Sequence, residues 1–192
     1  MRQLIKKSIA ASVLIGLGGY VLLKISTPIG PFLFALGLLG ICYLNLNLFT
    51  GKCGFFIQDK IPLTDLIEIL LINIMGGICI GIIISIIDPT LIESAQARVI
   101  NWSFSLQFFI QSILCGIIMY TAVAMYKKGT ALGILFGIPL FIFCGMQHSI
   151  ANAVYFGIAG VGNWMLILFC ALGNWIGSII MWLLCKEVKN ES

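Results

Sequence analysis

The chain is poor in charge. Only 9% of its 192 residues are Asp, Glu, Lys or Arg, where a soluble domain carries about a quarter. So few charges cannot coat a water-facing surface, and 60% of the residues are hydrophobic. Together these point to one integral membrane domain spanning 1–192, with little mass outside the lipid. Histidine is almost absent: His148 is the only one. A single histidine supplies no metal-ligand cluster, the spans hold no paired carboxylates, and no nucleophile–base pair can be named. An enzyme is therefore not expected, and neither is a cofactor or a metal. The seven cysteines (42, 53, 79, 115, 144, 170 and 185) form no CxxC pair. Most lie in apolar runs, where Cys behaves as a small hydrophobe. The net charge of +4 is scattered singly or in pairs, which gives no footprint for nucleic acid.

Long apolar runs dominate what remains. Stretches of about 20 residues can cross a bilayer, and six follow one another: about Ser8–Ile25, Pro31–Leu44, Leu66–Ile87, Leu106–Tyr126, Ala131–Gln147 and Trp164–Leu184. The first has no small-residue cleavage site before a mature domain, so it reads as a span and not a signal peptide. Six spans place both termini on one side. That side carries Arg2, Lys6, Lys7, Lys52, Lys60, Lys127, Lys128, Lys186 and Lys189, against Lys24 and Arg98 on the other. The positive-inside rule then makes the termini cytoplasmic and the location a cell (inner or plasma) membrane.

The six spans divide into two sets of three, about 6–87 and 104–186. An odd number of crossings per set requires the second to be inverted. Gly77 and Gly81 in the third span, and Gly173 and Gly177 in the sixth, form GxxxG pairs that let backbones approach in lipid. The middle span of each set runs into polar residues too early. "NLNLFTGK" follows the second and "QHSIAN" the fifth, each succeeded by a short apolar piece. A helix broken at membrane depth persists only where its freed backbone lines a cavity or is buried in protein. Two such breaks at matching places predict a substrate path between them, with half-helix N-termini suited to an anion.

The motifs "LFTG" at 48–51, "HSIAN" at 148–152 and "GNWIG" at 173–177, in this order and separation, resemble the formate/nitrite transporter family over nearly the whole chain. The resemblance implies an aquaporin-like protomer of six transmembrane helices in two inverted repeats, the second and fifth helices broken, assembled as a homopentamer with one pore per protomer. It implies passage of small monovalent anions or their conjugate acids, such as formate, nitrite or hydrosulfide. By the same resemblance His148 is the central pore histidine, Thr50 the threonine facing it, and Asn152 the residue closing the motif. Phe49 with Val123 would form one hydrophobic constriction, and Leu38 with Phe141 the other. The chain also departs from the family pattern. The vestibule lysine falls near Phe104 and the pore asparagine near Tyr120. Arg98 from the preceding loop would replace the first; the Tyr120 hydroxyl would replace the second, or Tyr120 is a packing residue. Lys52 stands where relatives carry a small polar residue; it either joins the pore or snorkels to the cytoplasmic surface.

A bare anion at the bilayer centre is costly. It needs donors or a proton, and desolvation favours a neutral His148 at rest, ready to give a hydrogen bond or a proton as an anion arrives. A lone intramembrane histidine can instead be a core residue satisfied by a carbonyl; the surrounding motif and the matching break argue for the pore. Trp102, Trp164, Trp175 and Trp182 read as interface anchors or lipid-facing packing and not as site residues. The competing function is a pore for small neutral solutes (water, ammonia, hydrogen sulfide), which the missing vestibule lysine favours.

Overall fold

Residues 2–187 are described by a computed structural model in which all regular structure is helical. Lys189, one of the basic residues expected on the cytoplasmic side, lies outside the described residues. The helices are α1 (Gln3–Lys24), α2 (Ile29–Tyr43), α3 (Phe49–Lys52), α4 (Leu63–Ile87), α5 (Leu91–Val99), α6 (Leu106–Lys127), α7 (Leu132–Phe143), α8 (Ser149–Ala159) and α9 (Trp164–Glu187). Four of them, α1, α4, α6 and α9, are long and apolar enough to cross a membrane. Their outward faces keep large apolar side chains, among them Met75, Ile86, Leu172 and Leu184. A multi-pass membrane protein follows, because such surfaces are stable only against lipid or another subunit.

Ion pairs show how the long helices run. Arg2 reaches Glu68 at 3.4 Å beside the start of α4, and Lys24 at the end of α1 reaches Asp88 at 2.7 Å, just past the end of α4. Helices α1 and α4 therefore lie side by side in the same direction. Lys127, the last residue of α6, reaches Asp59 at 2.6 Å, shortly before α4 begins. So α6 ends where α4 starts. Helices α6 and α9 also run together: a methyl group on Gly173 would meet the Ser112 side chain, and one on Gly177 would meet the Ile113 carbonyl. Gly81 likewise lets α4 lie on the backbone of α8 at Val154 and Gly157.

The chain leaves α-helical geometry between Tyr43 and Phe49 and again between Phe143 and Ser149, and the two interruptions are built alike. Asn45 (φ 49°) and Gly145 (φ 65°) take the left-handed conformation that ends many helices. Leu46 N–H donates to Ile41 O, and Met146 N–H to Phe141 O, both at 2.9 Å. The pieces that follow differ: α3 is a single turn leading into further turns up to Lys60, while α8 runs for eleven residues to Gly160. Pro62 and the polar "QDK" at 58–60 stop the first; "AVYFGIA" carries the second.

Two segments differ from the sequence expectation. The fifth apolar run stops at Phe143, not Gln147, because Gly145 accepts the left-handed turn. Residues 91–99, expected as loop, form α5, whose Leu91, Ala95 and Val99 repeat every four residues and are buried.

Candidate functional site

Each interruption is held by one buried asparagine from a long helix. Asn73 of α4 accepts the Phe49 N–H at 2.8 Å and donates to Ser8 O at 2.9 Å and Asn47 O at 3.1 Å. Asn174 of α9 accepts the Ser149 N–H at 2.9 Å and donates to Ser112 O and Gln147 O, both at 2.8 Å. One amide thus takes a carbonyl and an N–H at the entry to each short helix, groups that lipid could not satisfy. Neither residue was singled out from the sequence. The available signal is an amide inside an otherwise apolar span, once in "LLINIMGG" and once in "ALGNWIGS".

The two breaks meet where their short helices begin. His148 is the residue before α8 and Thr50 the second residue of α3, and Thr50 Oγ1 lies 2.8 Å from His148 Nε2. Both are almost wholly buried, at 1% and 2% exposure. His148 Nδ1 accepts the Ala151 N–H at 3.2 Å and so caps α8. A ring nitrogen that accepts carries no proton, so the neutral ring has its proton on Nε2 and donates it to Thr50. The Thr50 hydroxyl hydrogen is left to donate elsewhere. Of the first α8 amides, the Ser149 N–H is taken by Asn174 and the Ala151 N–H by His148, so the helix offers its dipole to a ligand more than those two N–H groups. Charging the imidazole would strip the cap from Ala151 beside the positive end of that dipole.

Cavities lie on either side of this pair. One, of about 190 Å³, is lined by Arg98, Trp102, Phe141, Gln147, His148 and Asn152, among others. The Arg98 guanidinium sits 4.8 Å from the centre of the Tyr155 ring. Phe141 stacks on His148 with ring centres 5.8 Å apart, and Asn152 donates to Gln147 Oε1 at 3.0 Å. The other cavity, of about 310 Å³, is lined by Leu38, Cys42, Asn45, Lys52, Val123 and Lys127, among others.

The structure groups several sequence-identified residues differently. Leu38 and Val123 line the same cavity, Phe141 lines the opposite one, and Phe49 lines neither; its ring packs edge-on to Trp175 at 6.3 Å. Tyr120 lines neither cavity and stacks on Phe55 with ring centres 4.6 Å apart. Spacing along α6 gives its helix face but not the ring that covers it. Trp102 and Trp175 pack inward on Tyr155 and Phe156, and on Phe49 and Phe56; Trp164 is exposed. Arg98 reaches its cavity from α5 and not from a loop.

The family model described as "Formate/nitrite transporter" matches residues 1–187. No curated protein matches the chain in sequence. Among solved structures, one described as an "FNT family ion channel" superposes with a TM-score of 0.71 at 20% identity, over 93% of this chain and 84% of that one. A second, described as a "Pentameric formate channel with formate bound", gives a TM-score of 0.69 at 17% identity, over 98% and 95%. Similarity at these identities speaks for the shared fold. With a family match across almost its full length, the chain belongs to the formate/nitrite transporter family.

Proposed function

We propose that the protein is a channel for small monovalent anions of the formate, nitrite or hydrosulfide class, or their conjugate acids. The observation that carries this reading is the 2.8 Å Thr50–His148 bond, which joins the two breaks between two cavities. Substrate enters the Arg98 cavity, passes Phe141, exchanges hydrogen bonds at Thr50 and His148, and leaves past Leu38 and Val123. His148 acts as a neutral Nε2–H donor in this path, and Thr50 offers its free hydroxyl hydrogen. Asn152 keeps Gln147 in place beside the histidine. Tyr120 supports the wall from behind Phe55 and is not a pore donor.

The spans read as two inverted halves, about 6–87 and 104–186, with the second and fifth crossings interrupted. Their matched left-handed residues, matched amide braces and opposed long helices support this layout. Both termini are cytoplasmic in a cell membrane, and five copies assemble, each with its own pore. The exposed apolar faces would meet lipid or a neighbouring copy.

A pore for small neutral solutes is the second reading, favoured by Phe104 at the place of the vestibule lysine and by Tyr120 lying off both cavities. Flux into liposomes separates the two. Purified protein should admit formate and nitrite well above empty vesicles while leaving the permeability to an uncharged solute of similar size unchanged. Accelerated neutral-solute flux without anion or weak-acid flux would reverse the assignment.

A further inference from the structure

Lys52 differs from Lys127, the other lysine that lines its cavity. Lys127 is tied to Asp59 at 2.6 Å, whereas Lys52 has no carboxylate within ion-pair distance among the described residues. Its ammonium donates to Asn45 Oδ1 at 3.2 Å and lines the 310 Å³ cavity. The charged groups near enough to act on it are Asp59, Lys127 and Lys7, and Lys127 already neutralises Asp59. Among the described residues the cavity therefore keeps a surplus positive charge against walls built from Leu38, Ile41, Leu46, Leu48 and Val123. A cation held beside low-dielectric walls without a partner attracts a counter-ion. The position is also specific. Lys52 lies four residues after Leu48, the residue before α3, as Asn152 lies four after His148 before α8. Asn152 lines the opposite cavity, so the two breaks present a cation on one side and an amide on the other.

We propose that Lys52 is an anion-docking residue, receiving a small monovalent anion in this cavity next to the Thr50–His148 pair. The proposal rests on the anion-channel reading and adds a binding site on the side of Lys127. An anion docked there sits one step from Thr50, two residues earlier on the same turn. Docking should lower the half-saturating concentration for transport from this side, and leave transport from the Arg98 side less affected.

Cys42 lines the same cavity and serves as a reporter. Cys79, Cys144 and Cys185 are replaced by Ser, leaving the buried Cys53, Cys115 and Cys170 and the partly buried Cys42. The rates at which Cys42 reacts with an anionic and a cationic methanethiosulfonate are then compared. Their ratio cancels any change in thiolate fraction. Lys52→Gln should lower the anionic-to-cationic ratio about tenfold, a modest share of the attraction between unit charges in a half-wet cavity; Lys52→Arg should retain it. Formate should slow labelling when Lys52 is present and not in Lys52→Gln. A ratio unmoved by Lys52→Gln overturns the proposal, and so does labelling that formate fails to slow in the Lys52 protein, a measurement that needs no variant at position 52. Formate flux in wild-type liposomes tests the channel reading separately: absent flux with a shifted ratio overturns that reading alone, and normal flux with an unshifted ratio overturns docking alone.

Discussion

His148 uses both ring nitrogens, one to cap α8 at Ala151 and one to bond Thr50. The two bonds separate what position 148 does for structure from its proposed part in transport. Thr50→Ser keeps the hydroxyl and should retain formate flux; Thr50→Val removes it and should lower flux about tenfold, the factor of one hydrogen bond of roughly 1.4 kcal/mol. Proteoliposome uptake at matched protein content checks this, and equal flux in both variants would remove Thr50 from the path. The motif residues were legible because "LFTG" and "HSIAN" fix the local chain. Tyr120 was not, because the ring that covers it, Phe55, comes from a distant turn. Arg98 was identified as a charge beside the vestibule without its setting, the Tyr155 ring below the guanidinium.

The chain between Tyr43 and Phe49 and between Phe143 and Ser149 leaves backbone groups without helical partners, and Asn73 and Asn174 bond some of them. Asn174→Leu leaves the Ser149 N–H and the Ser112 and Gln147 carbonyls without this partner, at about 1–3 kcal/mol for each group that finds no other. Thermal unfolding in detergent should show a clearly lowered midpoint for Asn174→Leu and Asn73→Leu; unchanged midpoints would mean the braces are dispensable. At the far ends of α1 and α4, hydrogen bonds from Lys24, then Thr90, hold the Asp88 carboxyl below the usual carboxylate range. A depressed folded-state value stabilises above the unfolded value, near 3.8, and the gain is lost as pH falls through the folded value. The midpoint difference between wild type and Asp88→Asn should therefore stay level from about pH 5 to 8 and shrink below about pH 4. A difference that grows on acidification would contradict the clamp. The four long helices were readable from apolar length alone. Helix α5 was overlooked because its pattern of Leu91, Ala95 and Val99 spans only nine residues between Pro89 and Trp102.

At the scale of the molecule, the low charge and long apolar runs were enough to identify a membrane protein. They were not enough to separate the cavities, since Leu38, Val123 and Phe141 come from three helices whose packing fixes which side each one faces. Native mass spectrometry from mild detergent should find five copies; a monomer in both detergent and lipid would contradict the assembly. If His148 works as a hydrogen-bond donor between two cavities, flux across external pH from about 5 to 8 in His148→Phe and His148→Asn will show it. Phe, which cannot donate, should lower formate and nitrite flux at least about tenfold, while Asn, which can donate but not titrate, should keep flux with the wild-type pH profile. Wild-type flux in His148→Phe, or a pH-insensitive and less selective pore in His148→Asn, would contradict it.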